Sequence, residues 1–195
     1  MSFEQMTELA WGLELSERRF VWVVRKPIEE AVDAAFFTTG CDDVAIDKYL
    51  PEGFTSRTSK VGLLVPEWAQ QVIILGHGSI GGFVSHCGWG STLESVTNGV
   101  PLVTWPLYAE QRMNATLLAE ELGVAVRPAV LPTKKVVYRE EIARMVREVV
   151  PSDEGVKRNR IRERMKEVQQ SAVKAMCEGG SSHVALSNVA KIIEG

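Results

Sequence analysis

The sequence predicts an α/β fold: a parallel, doubly wound sheet followed by a helical C-terminal region. Three observations lead there. Short apolar, β-rich runs alternate with segments of helical periodicity between residues 19 and 127, the pattern of parallel strands joined by crossover helices. Gly or Pro closes most of these segments, as at Gly99, Pro106 and Gly123. Beyond residue 139 no strand-like run follows, and the chain reads as helix alone.

In order, residues 3–14 form the first helix, because Phe3, Met6, Leu9, Ala10 and Leu13 make one apolar stripe. Ser2 and Gln5 have the spacing of a capping box. Residues 19–25 enclose Phe-Val-Trp-Val-Val, which reads as a buried strand. Residues 26–50 lack periodicity, hold Pro27, Gly40, Asp42 and Asp43, and read as a long surface loop. Residues 62–65 are a second strand, 71–75 a short helix and 82–85 a third strand. A helix over 91–98 is stopped by Gly99. Strand 101–105 is closed by Pro106, helix 110–122 ends at Gly123, and strand 124–127 follows. The last helices are expected over 139–150, about 156–177 and 182–193, with an N-cap offered in Gly179-Gly180-Ser181-Ser182.

Size and charge narrow the function. A chain of 195 residues, 45% hydrophobic and 24% charged, is ordinary globular composition and large enough for one substantial core. The net charge of −3 gives no general pull toward nucleic acid or anionic membrane. Lys and Arg within 157–174 alternate with Glu and read as a solvated helix face. No apolar run is long enough to span a bilayer. No signal-peptide pattern is visible at Met1. Cys41, Cys87 and Cys177 are odd in number and far apart, so free thiols in a reducing cytoplasm are the simplest expectation. His77, His86 and His183 have no metal-ligand spacing, and no metal is expected.

In such a sheet ligands gather at the carboxyl ends of the strands. His86-Cys-Gly-Trp-Gly-Ser91 lies there, between a strand and a helix. Gly88 and Gly90 allow close backbone approach, and the helix start offers open N–H groups and a partial positive charge. That is an anion site suited to a diphosphate, with His86 and Ser91 as side-chain donors and Ser91 also able to cap the helix. A plain strand-to-helix turn would look similar. Glu94, three residues after Ser91, can accept two ribose hydroxyls or be a surface Glu. Trp68 can stack on a base or be a half-buried core Trp. Glu110 and Gln111 can bind sugar hydroxyls, or reflect the polarity favoured at a helix start. His77 and His183 read as structural.

The whole block runs without a gap from Trp68-Ala-Gln-Gln71 through Leu75-Gly-His77, Phe83-Val-Ser-His86-Cys-Gly88-Trp89-Gly90-Ser91, Glu94-Ser95, Gly99-Val-Pro101 and Trp105-Pro106 to Glu110-Gln111. It resembles the secondary-product glycosyltransferase box of plant UDP-glycosyltransferases, at the family's own length. The segments Ser2 to Arg25, Tyr49-Leu-Pro-Glu-Gly-Phe54, Pro106 to Asn114 and Glu120 to Arg127 extend the resemblance. It is strongest to the hydroquinone, monolignol and anthocyanidin 3-O-glucosyltransferase branch.

The resemblance implies the Rossmann-like C-terminal half of a GT-B fold, with residues 1–195 a UDP-sugar donor-binding domain truncated at its N-terminus. By motif position it implies that Trp68 stacks on uracil, Ala69 pairs with it through its backbone and Gln71 lies beside the nucleoside. Glu94 would hold the ribose. His86, Gly90 and Ser91 would face the diphosphate, and Trp89, Glu110 and Gln111 the sugar. Gln111 resembles the glucose-using members.

Gln70 replaces the family's usual Pro, and Gly90 its usual Asn or Ser. The catalytic His and orienting Asp belong to the acceptor domain and have no counterpart here, so no catalytic residue is assigned. The family's first, central strand is also expected to be missing, leaving a gap or forcing new strands together. The implied function is UDP-glucose-dependent transfer to small phenolic, flavonoid or phenylpropanoid hydroxyls, without metal, incomplete in the isolated chain. Two alternatives stand: a non-catalytic UDP-sugar-binding remnant or partner-dependent module, and a generic Rossmann module. The second is disfavoured because no G-x-G-x-x-G follows an N-terminal strand.

Overall fold

A computed structural model describes residues 1–27, 46–152 and 159–194. Cys41, most of the expected 26–50 loop and the expected first residues of helix 156–177 lie outside the described residues. The elements run α1 (Phe3–Ser16), β1 (Phe20–Val24), a 3-10 turn (Ile46–Tyr49), α2 (Phe54–Thr58), β2 (Gly62–Pro66), α3 (Gln71–Leu75) and β3 (Phe83–Ser85). There follow α4 (Trp89–Thr97), β4 (Leu102–Thr104), α5 (Gln111–Thr116), a π-helical turn (Leu117–Glu121), β5 (Ala125–Val126), α6 (Arg139–Val149), α7 (Arg160–Met176) and α8 (Ser181–Glu194).

All strand pairs are parallel, but they form two sheets. β1 pairs with β2, Phe20 opposite Gly62 and Val24 opposite Pro66. Separately, β3-β4-β5 pair with Phe83 opposite Leu102 and Leu102 opposite Ala125. The resemblance places a further, central strand in this fold, and among the described residues no strand joins the two sheets. One consequence corrects the expectation of a buried β1. Val21 is 42% exposed, and only Val24 of this strand is fully buried, because an edge strand packs against fewer neighbours. β4, flanked on both sides, is buried at every position.

Helices cover the sheets. α1 lies on α6, where Leu9 and Leu13 meet Ile142, Met145, Val146 and Val149 in the main core. Gly12 permits this approach, since a Cβ there would sit 2.6 Å from Ile142 Cβ. Only half of the capping box forms: Gln5 N donates to Ser2 Oγ at 3.2 Å. The Gln5 side chain instead pairs with the Val137 backbone, donating to its carbonyl at 2.9 Å and accepting from its N–H at 2.8 Å. Glu8 accepts from Arg139 N at 2.8 Å and Nε at 3.0 Å, so a carboxylate of α1 closes the first turn of α6.

The expected 110–122 helix is not uniformly α. It passes into a π-turn in which Leu122 N donates to Leu117 O, and Gly123 leaves it at φ 64°. α7 is more than a solvated face. Met165 is fully buried, Arg162 Nη1 donates to Gly81 O at 3.0 Å, Arg164 Nε to Leu122 O at 3.0 Å, and Gln169 Nε2 to Thr97 O at 2.9 Å. These bonds satisfy carbonyls at or near the boundaries of neighbouring elements and tie α7 to the three-stranded sheet, which carries the β3 end of the candidate site.

Candidate functional site

The site sits at the carboxyl ends of β1, β2 and β3. After β3 the chain turns through Cys87, whose φ of 65° is left-handed. Buried polar groups hold this unusual conformation: Ser85 Oγ accepts from Cys87 N at 3.1 Å, and Asn114 Nδ2 donates to Cys87 O at 2.9 Å. Burial pushes the Cys87 thiol up to about 11, against a smaller opposing hydrogen bond from the Trp105 backbone, so it serves packing rather than nucleophilic chemistry. A Cβ at Gly88 would lie 2.5 Å from His86 Nε2, so any larger residue there would have to displace the His86 ring.

Helix α4 then begins with Gly88 at its N-cap and no side-chain cap. Ser91 is therefore not the capping residue, because it already lies inside the first turn. The first helical bond is Thr92 N to Gly88 O, and the N–H groups of Trp89, Gly90 and Ser91 have no acceptor among the described residues. Gly90 faces open space; a Cβ there would meet nothing within 4 Å. This is a concentrated set of backbone donors at a positive helix end.

Beside it, Gln71 Nε2 donates to Ser91 Oγ at 3.0 Å and to Glu94 Oε2 at 2.6 Å. Three of the expected site residues thus meet through one amide nitrogen. Trp68 is 67% exposed, which removes its reading as a half-buried core residue and leaves a bare indole face. It follows Glu67, held at φ 57°. Glu67 N donates to Val24 O, and Arg25 Nε donates to Glu67 O, each at 3.0 Å. Ala69 occupies the loop between Trp68 and α3, half-buried.

His86 keeps accessible surface, yet its pKa is pushed below the usual imidazole range. The largest cause is desolvation by the atoms around it, Glu110 pulls the other way, and the cation of Arg25 adds to the lowering. It is accordingly a neutral donor near pH 7. Trp89 and Glu110 share an open groove of about 680 Å³, also lined by Met113, Asn114, Thr116 and Leu117. Gln111 does not join them in the way its sequence position implied. It is 2% exposed, and its Oε1 accepts from Leu107 N at 2.8 Å and Tyr108 N at 3.1 Å. Its acceptor is committed to the loop before α5, leaving the amide nitrogen as its available donor. His77 Nδ1 accepts from Ser79 N at 3.2 Å, a local turn contact, and His183 lies at the start of α8, away from these residues.

Sequence reasoning missed Arg25, Ser85 and Asn114 as parts of this region. Nothing in their spacing marks Ser85 or Asn114. Arg25 had one readable signal, its place just beyond the carboxyl end of β1.

Residues 1–163 match the profile of the UDP-glucoronosyl and UDP-glucosyl transferases. The chain belongs to that transferase family. It is 58% identical over 182 residues to an anthocyanidin 3-O-glucosyltransferase of Manihot esculenta, covering 93% of this chain and 37% of that one. It is 49% identical to the hydroquinone glucosyltransferase of Rauvolfia serpentina, covering 97% of this chain and 39% of the relative. Among solved structures, that of TcCGT1 in complex with UDP superposes with a TM-score of 0.88 at 55% identity, covering all of this chain and 41% of the other. The fold of this UDP-glycosyltransferase chain is accordingly the Rossmann-like C-terminal half of a GT-B enzyme. The chain spans well under half the length of the curated relatives it matches. Among the described residues no helix is long and apolar enough to cross a membrane.

Proposed function

We propose that residues 1–195 bind UDP-glucose for transfer to a hydroxyl of a small phenolic, flavonoid or phenylpropanoid acceptor. The observation that carries this is one juxtaposition. An exposed indole, Trp68, precedes by three residues Gln71, whose amide joins Ser91 and Glu94 in a cluster at the open N–H groups of α4. Base, ribose and diphosphate each find a matching chemistry in that order. Trp68 stacks on uracil, with Ala69 pairing through its backbone. Glu94, steered by Gln71, accepts the ribose hydroxyls. His86, Gly90 and Ser91 take the diphosphate by neutral donors and helix dipole. Trp89 and Glu110 border the sugar, and Gln111 contributes its amide nitrogen.

In this reading the diphosphate is held by backbone and side-chain donors and the helix dipole, and binding is expected to need no divalent ion. The base that deprotonates the acceptor, and the acceptor pocket, come from polypeptide outside these 195 residues. The length comparison supports that division and also supports a second reading, a partner-dependent or non-catalytic donor-binding module. Cytoplasmic residence belongs to the same proposal, supported by the unpaired Cys87 and Cys177.

Titration calorimetry with UDP-glucose, with and without EDTA, tests binding. Incubation with UDP-glucose and hydroquinone tests turnover. We expect EDTA-insensitive binding with little transfer, since a general base alone contributes about 10²–10⁴-fold. Absence of binding overturns the donor-site reading. Robust transfer overturns the placement of the base elsewhere. Binding that drives no transfer even when the acceptor half of a relative is added favours the non-catalytic reading.

A further inference from the structure

We propose that Arg25 is a further donor-binding residue, one that presents a cation to the diphosphate while its Nε fixes the turn beneath the base. This rests on the nucleotide-sugar reading above.

Arg25 directly follows Val24, the last residue of β1. Carboxyl ends of parallel strands deliver side chains to the ligand crevice. Two hydrogen bonds tie this strand end to Glu67, one from Glu67 N to Val24 O and one from Arg25 Nε to Glu67 O, each 3.0 Å. Glu67 is a non-glycine residue at φ 57°, a conformation that persists only when its surroundings impose it. The bonds from β1 impose it, and Trp68 leaves that turn with its ring exposed.

The Arg25 guanidinium also acts on the β3 end of the crevice. Its charge is felt at His86, whose other charged neighbour is Glu110. The terminal nitrogens of Arg25 make no hydrogen bond to any described residue. Arg25 is exposed and thus open to a ligand. A guanidinium in that position has the fork geometry that suits phosphate oxygens. Gly90, in the first turn of α4, offers no side-chain donor. Arg25 thereby links the two halves of the site, its Nε serving the base and its terminal nitrogens the phosphates.

The rival is a residue that merely holds the Glu67 turn. UDP and uridine separate the two, because both need Trp68 and only UDP carries phosphate. Binding of each is measured by NMR titration on wild type, Arg25→Met and Arg25→Lys. We expect Arg25→Met to weaken UDP by about tenfold or more, as for loss of one charge-assisted hydrogen bond, with uridine changed much less. Arg25→Lys should recover part of the UDP affinity. In the ligand-free protein, removing the cation should raise the His86 pKa. Equal losses for UDP and uridine, or an unmoved His86 titration, overturn the role assigned to Arg25 and leave the site standing. Wild-type protein that binds neither ligand overturns the site itself.

Discussion

Replacing Gly90 by Asn should tighten UDP-glucose binding. Gly90 is the second residue of α4, and a Cβ there would meet no atom within 4 Å, so the side chain starts into open space. Its neighbours Trp89 and Ser91 share the run of unbonded backbone N–H groups. An Asn amide would add a donor beside the anion they are proposed to hold. A hydrogen bond to a charged group is worth about 1.5–3 kcal/mol. The position is exposed and the side chain must be ordered, so the lower end applies, roughly tenfold in Kd. Helix propensity also favours Asn over Gly by a few tenths of a kcal/mol, so the fold should not suffer. Calorimetry would compare wild type, Gly90→Asn and Gly90→Ala, the Ala variant supplying the backbone change without the donor. Asn about tenfold tighter, with Ala close to wild type, is the expected result. Asn binding no better than Ala would refute the placement of the diphosphate at this turn.

Three other perturbations separate site from scaffold. Gly88→Ala drives a methyl to within 2.5 Å of His86 Nε2, so UDP affinity should fall while circular dichroism stays native; unchanged affinity would remove His86 from the site. Gln70→Pro should raise Tm modestly, by the ~0.4–1 kcal/mol of a compatible proline, because Gln70 already has φ −74° and its N–H makes no hydrogen bond among the described residues; a fall in Tm would contradict that geometry. Glu8→Gln tests the α1–α6 joint. The hydrogen bond from the Arg139 side chain, with burial opposing, holds the Glu8 carboxyl below its usual range. Its folded pKa is depressed, so its stabilisation is complete above the unfolded carboxylate pKa and lost as pH falls through the folded one. Wild type should therefore melt above Glu8→Gln at neutral pH, with the gap closing in acid; a gap independent of pH would refute the coupling.

The strands and longer helices were legible because local signals agree there. Leu102-Val-Thr104 is an apolar run stopped by prolines, and Phe3 to Leu13 carries a clear stripe. What escaped depends on distant partners. α2 is only Phe54–Thr58, and it forms because Phe54 is buried and stacks with Phe20 at 6.0 Å; five residues hold no periodicity to read. Exposure of β1 follows from the split sheet.

In the site, Gln71, Ser91 and Glu94 were readable by motif position, and the structure brings them into one cluster. The commitment of Gln111 Oε1 to two backbone N–H groups was not readable, because a polar residue at a helix start looks the same whether it faces a ligand or its own loop. Arg162, Arg164 and Gln169 looked like a solvated face for a similar reason. The carbonyls they satisfy are remote in sequence.

The most direct measurement is a crystal of this chain soaked in UDP. Uracil should lie flat on the Trp68 indole, the ribose hydroxyls should reach Glu94, and the phosphates should meet the amides of Gly90 and Ser91. UDP absent from this crevice at saturating concentration, or bound with its base away from Trp68, would contradict the donor-site assignment.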